Sequence, residues 1–316
     1  MKRNSYISTI CVAMFLISFV CALSSCENES VDISRSDVQF SIRVADVISP
    51  FQAYKAPDKD MYSESGIPSK INILCLLYDD SGHLLNEFSQ TISEYNSNLI
   101  TFSSPVSGSN PVLVCFSYAT WTNKSGKIFK AYDITGKESL STLRVESDLA
   151  SEVNLIPWQV LGGAIVQLGA TSQNISVSLK PLGGLVYLSW ENIHSHDKET
   201  PPPTRYVMMY KNNDVVMINN KEFTYSSTLA TTYYFYSEVF PANNKTYNTI
   251  YSVQFMMPCN VETFGFGGYY MTSRPDEEKI LGRTDDGSIM IDAQKQYVFI
   301  MDCKNYTIEL KQGIMD

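Results

Sequence analysis

"VQFSIRV", residues 38–44, alternates apolar and polar side chains without a break. Val38, Phe40, Ile42 and Val44 point one way, and Gln39, Ser41 and Arg43 point the other. A period of two is that of a β-strand with one face turned to a core. The pattern returns in "NISVSLK" through Ile175, Val177 and Leu179, and in "YSVQFMM" through Tyr251, Val253, Phe255 and Met257. It returns again near the end, in "NYTIELK", through Tyr306, Ile308 and Leu310. Short apolar runs fill the gaps at residues 71–78, 111–118, 184–190, 206–210, 215–218 and 296–302. Turn-forming clusters separate them: Asp79-Asp80-Ser81-Gly82, Asn212-Asn213-Asp214 and Asp285-Asp286-Gly287. A helical pattern is hinted at only in residues 137–153. Many short strands joined by frequent turns predict an all-β chain of antiparallel sandwiches or barrels.

Composition agrees. Of 316 residues only 18% are charged, while Tyr numbers 20 and Phe 15, which favours sheet over long helices. The formal net charge is −9. An acidic chain without a Lys/Arg cluster lacks the footprint of a nucleic-acid binder.

The N-terminus is organised differently. Lys2 and Arg3 precede an apolar stretch from Tyr6 to Leu23, and a small-residue pair, Ser24-Ser25, precedes Cys26. This is the layout of a secretory signal peptide, and the run is short for a bilayer-spanning helix, with a single-span anchor as the alternative. Leu23-Ser24-Ser25-Cys26 resembles the lipobox of bacterial lipoproteins, in which the Cys thiol is acylated and the chain is cut just before it. Residues 1–25 are then the signal peptide, and Cys26 is the lipidated, palmitate-bearing N-terminus of a 291-residue chain with net charge −11. Acyl chains contribute ~0.8 kcal/mol per buried CH₂ and would hold a soluble domain at a membrane. Glu27 and Glu29 resemble the acidic export signal of Bacteroidetes surface lipoproteins. The expected address is therefore the outer face of the cell outer membrane, with the periplasm second. Residues 26–36 read as a polar leader. The length that follows suggests two domains, 37–170 and 171–316, joined near "GATSQN" at 169–174.

Signals for chemistry are thin. There is no GxSxG, HExxH or Walker loop, and "GFGGYY" (265–270) reads as a loop or bulge. His194 and His196 lie in the Pro-rich stretch "HSHDKETPPPT", which offers no rigid third ligand. No catalytic, metal or cofactor site is expected. Cys75, Cys115, Cys259 and Cys303 each sit in an apolar run without CxxC spacing. They read as buried thiols, with one or two disulfides left open for an oxidising compartment. The tyrosines between 225 and 270 suit a packed sheet face or a platform for sugar rings, as do Trp121 and Trp158.

The early alternating strand is followed by a polar loop, then "INILCLLYDDSGHLL", "VLVCFSYAT" and "ISVSLKPLGGLVYLSWENI". In that order these features resemble the fimbrillin family of Bacteroidetes lipoproteins, which includes pilus subunits. The resemblance implies two tandem transthyretin-like antiparallel β-sandwich domains behind a lipoprotein signal peptide. It also implies a fimbrial subunit, structural or adhesive, with other subunits of a homo- or hetero-polymer as partners and the outer membrane as anchor. A host or bacterial surface ligand stays open as a further partner. In that family a protease cutting after Arg removes the first strand, and a neighbour's strand fills the groove. Val38, Phe40, Ile42 and Val44 would then anchor the removable strand, and Tyr306, Ile308 and Leu310 would belong to a donor strand. Only Arg35 and Arg43 are available N-terminal cut sites, since the next arginine is Arg144. Arg35 is easier to reach but leaves the strand attached, whereas Arg43 lies inside it. The alternative function is an outer-membrane lipoprotein that binds glycans through aromatic surface residues.

Overall fold

The alternating stretch at 38–44 forms the strand that its pattern predicts. The computed structural model describes residues 36–47, 70–95, 97–122, 128–147, 160–169, 174–192, 205–211, 213, 215–226, 233–238, 250–269, 278–283, 289–302, 305 and 307–313. In chain order the strands are β1 (Ser36–Arg43), β2 (Lys70–Tyr78), β3 (Leu84–Ile92), β4 (Leu99–Val106), β5 (Val112–Thr122), β6 (Ile128–Lys130), β7 (Tyr132–Thr135), β8 (Arg144–Ser147), β9 (Gly162–Gln167), β10 (Asn174–Ser178) and β11 (Lys180–Pro181). They continue with β12 (Gly184–Glu191), β13 (Arg205–Lys211), β14 (Val215–Asn219), β15 (Glu222–Ser226), β16 (Tyr233–Glu238), β17 (Ile250–Met256), β18 (Cys259–Tyr269), β19 (Glu278–Arg283), β20 (Ile289–Ile291), β21 (Gln296–Asp302) and β22 (Thr307–Gly313).

Among the described residues five sheets form, and antiparallel pairs dominate. Their orders are β10-β1-β4; β11-β9-β5-β2-β3 with β6 added to β5; β15-β14-β8-β7; β17-β12-β21-β22; and β16-β13-β18-β19 with β20 added to β18. The runs at 71–78 and 111–118 form the middle of the six-stranded sheet. Ile71, Ile73, Leu74, Cys75, Leu76, Leu77 and Tyr78 are all buried, as are Val112 to Phe116. A strand covered on both faces has no polar face to present, so its sequence reads as one apolar block. On one face Phe88 of β3 stacks on Phe102 of β4, with ring centroids 4.4 Å apart. On the other, Phe116 of β5 meets Phe223 of β15 at 5.8 Å. The three-stranded sheet of β1 and the sheet of β14 and β15 therefore cover opposite sides of β2 and β5.

Three pairings cross the expected junction at residues 169–174. β10 pairs with β1, β11 with β9, and β14 with β8. Leu185, Val216, Phe255 and Val298 also belong to the same buried cluster as Phe40 and Leu113.

The helical hint at 137–153 is corrected. Among the described residues of this stretch no helix forms, and the chain makes a turn in which Leu143 N–H donates to the Ser139 carbonyl at 3.0 Å. Gly136 enters it with φ +64°, and the chain then joins β8, where Val145 is fully buried between β7 and β14. Ladder bonds and burial outweigh a weak local propensity. Residues 148–153 lie outside the described residues. The glycine-rich 265–269 is strand rather than loop: it continues β18, with a register shift against β19 at Phe266/Gly267 that marks the expected bulge.

Candidate functional site

β1 is the central strand of its sheet. It runs antiparallel to β4, with Phe40 opposite Phe102, and parallel to β10, with Phe40 opposite Ile175. Val38 is 2% exposed, and Phe40, Ile42 and Val44 are 0% exposed. Gln39 and Arg43 face outward, as the alternation requires. Phe40 stacks on Phe102 at 4.8 Å, which continues the aromatic row to Phe88. Both neighbours of β1 lie more than fifty residues away in sequence, so long-range ladder bonds and side-chain packing hold the body of the strand. Its removal would open two rows of backbone N–H and C=O groups beside an apolar trough.

The C-terminal end of β1 is latched. A 3₁₀ turn, Ala45–Val47, follows the strand, and Val47 N–H donates to the Val44 carbonyl at 3.1 Å. The Asp46 carboxylate accepts from Ser178 Oγ and from Lys180 Nζ, the latter at 3.1 Å. Hydrogen bonds from Ser178 and then Lys180 hold the Asp46 carboxyl below its ordinary range. Leu179 N–H donates to the Arg43 carbonyl at 2.9 Å. The Arg43–Val44 peptide is thus tied to the end of β10, and a protease that needs an extended segment cannot engage it until this end of β1 opens. Nothing in the sequence marks Asp46 for this role, because Ser178 and Lys180 are about 130 residues away.

Arg35 lies outside the described residues, one position before the first residue of β1. Leu23, Ser24, Ser25 and Cys26 also lie outside them, as do Tyr306, Trp158, Cys303, His194 and His196. Ile308 and Leu310 fall on β22, opposite Met301 and Phe299 of β21. Among the described residues no strand follows β22 in its sheet, so it stands at an edge. Trp121 lies on β5. Tyr225 packs against the core, and burial pushes its phenol up to about 12.

The Asp79–Gly82 segment is the expected hairpin turn. Asp79 accepts from the backbone N–H groups of Ser81 and His83, both at 2.9 Å, and from Ser81 Oγ at 2.7 Å. Asp80 reaches across to the loop after β4, accepting from Ser109 N–H, Ser109 Oγ and Asn110 N–H at 2.9, 2.8 and 2.8 Å. Both carboxylates are engaged by donors. Among the described residues no group of three or more His, Cys, Asp or Glu could hold a metal ion.

A polar cavity of ≈ 280 Å³ that the sequence did not signal opens beside β2 and β7, lined by Asn72, Glu87, Tyr118, Lys130, Asp133 and Lys137 among others. Its charged groups pair with one another: Lys137 with Glu87 at 2.8 Å and Lys130 with Asp133 at 3.7 Å.

No family model matches the chain, and no curated protein does. Solved structures similar to it include a candidate adhesin from Bacteroides thetaiotaomicron, with 9% identity, 87% of this chain and 96% of that chain covered, and a TM-score of 0.47. Another is a candidate polysaccharide-binding protein from the same organism, with 9% identity, 89% and 99% coverage, and a TM-score of 0.47. A third is the fimbrial anchor protein Mfa2 from Porphyromonas gingivalis, with 13% identity, 88% and 97% coverage, and a TM-score of 0.41.

Proposed function

We propose that the chain is a surface lipoprotein, anchored through Cys26, that serves as a structural or adhesive fimbrial subunit and carries no catalytic site. Subunits join when β1 is removed and an extended strand from a neighbour takes its place. We further propose two tandem transthyretin-like sandwich units, with β10, β11, β14 and β15 completing the first.

One observation carries this reading. β1 is bonded on both edges and buried at Val38, Phe40 and Ile42, yet both of its partners are distant in sequence. Excision leaves unpaired backbone groups along β4 and β10 above an apolar trough, and β-augmentation by another chain satisfies both at once. The edge strand β22, which bears Ile308 and Leu310, supplies the donor. Cleavage at Arg43 follows local opening of the Asp46 latch, whereas cleavage at Arg35 leaves β1 in place.

The test compares the chain starting at Cys26 with one starting at Val44. The shorter protein is expected to form ladders that resist SDS without heating, and the longer one to stay monomeric. A shorter protein that remains monomeric, above all one whose tryptophan fluorescence responds to polysaccharide, would overturn the fimbrial reading in favour of glycan capture. The anchor has its own test: Cys26→Ala should leave the protein out of the membrane fraction, and unchanged fractionation would refute lipidation.

A further inference from the structure

Cys75 of β2 and Cys115 of β5 stand directly opposite one another in the antiparallel ladder at the middle of the six-stranded sheet. They are 1% and 0% exposed. Both belong to the face that the β1 sheet covers, because Cys75 is also opposite Phe88, whose ring stacks on Phe102 of β4. Residues directly opposed in such a ladder have Cα atoms roughly 4.5–5.5 Å apart. That falls inside the window of about 4.4–6.8 Å that a disulfide requires. Both are buried free thiols in this structure. Among the described residues the third buried thiol is Cys259 on β18, which faces Ile291 of β20.

We propose that Cys75 and Cys115 close a cross-strand disulfide when the chain folds in the presence of a disulfide oxidant such as oxidised glutathione. The thiolate of one cysteine attacks a glutathione sulfur, forming a mixed disulfide and releasing one glutathione thiol. The second cysteine then attacks the protein sulfur of that mixed disulfide and releases the other glutathione. Two protein thiols lose two protons and two electrons, and one glutathione disulfide becomes two thiols.

Burial fixes when this happens. Once β1 and β4 have covered the face, neither sulfur is accessible, and burial followed by the neighbouring Cys75 pushes the Cys115 thiol well up, away from the reactive thiolate. The redox state is set while the chain folds and is then locked in. The bond encloses β3 and β4 in a covalent loop and fastens the two strands that form the floor under β1. It does not depend on assembly or on Cys26.

The experiment refolds the reduced, unfolded full chain with oxidised glutathione or with dithiothreitol. Each product is then unfolded in an alkylating agent without reductant. No Lys or Arg separates the two cysteines, so a Glu-specific protease that cuts at Glu87 and Glu94 resolves them. The oxidised product should show the Cys75 and Cys115 peptides linked, should resist dithiothreitol while folded, and should melt about 8 °C above the reduced product. That difference should vanish in Cys115→Val and in Cys75→Ala. Alkylation of both thiols after oxidising refolding, or linkage of either to another cysteine, would overturn the proposal.

Discussion

Phe40 carries the burial of β1. It is fully buried, stacked on Phe102, and flanked along its strand by Val38 and Ile42. Phe40→Ala should destabilise by about 3–5 kcal/mol, because it removes both the transfer free energy and the packing around the cavity left behind. Gln39→Ala, one position away on the exposed face, should cost little; equal losses in the two variants, read by denaturant unfolding, would contradict the assigned faces. Asp80 is a different kind of residue. Its carboxylate lies on the surface yet ties the β2–β3 turn to the loop after β4, and bonds from Ser109 and Asn110 hold its carboxyl below the ordinary range. A group with a depressed folded-state pKa stabilises above its unfolded value and loses that contribution as pH falls through the folded one. The stability gap between the wild type and Asp80→Asn should therefore be full near neutrality and close below roughly pH 4. A gap that widens on acidification would show the opposite sign. Gly108, at φ +103°, permits this contact: an added Cβ would lie 2.6 Å from Asp80 Oδ1.

At the scale of the element, β1 shows how strictly register is fixed. Its polar and apolar sets alternate, and only one set fits the trough above β2 and β5. Deleting Ser41 would turn Ile42 and Val44 to the outer face and Arg43 inward, since a slip of one residue exchanges the two faces. The deletion should abolish the cooperative transition, whereas the conservative Ser41→Thr should keep it. The latch predicts a local effect. Asp46→Ala should speed tryptic cleavage after Arg43 while leaving global unfolding nearly unchanged, and an unaltered cleavage rate would mean that Asp46 does not hold this end of β1. β1, β2, β5 and β21 were legible in sequence because their alternation or apolar runs are long. β3 was not. Along "LLNEFSQTI" only Leu84, Phe88 and Ile92 are apolar and semi-buried, a spacing of four that hides the period of two. Apart from the exposed Leu85, polar side chains occupy the rest of this edge strand.

For the whole molecule, pairing across residue 170 is decisive. A chain ending there loses β10, the parallel partner of β1, as well as β11, β14 and β15. It should lack a cooperative melt and bind ANS, and a chain ending at residue 226 should recover more order. A cooperative transition in the shorter chain would show that β1 needs only β4.

The sequence alone determined the class and the faces: an all-sheet chain, the inward row Val38, Phe40, Ile42 and Val44, and the turn at Asp79–Gly82. Those follow from period and turn chemistry, which are local. The tertiary structure alone decided that β1 lies between β4 and β10, that Asp46 clasps Ser178 and Lys180, and that Cys75 faces Cys115. Strand neighbours are chosen by which exposed ladder edges and apolar faces close together with the least unpaired backbone, and that choice is settled between residues far apart in the chain.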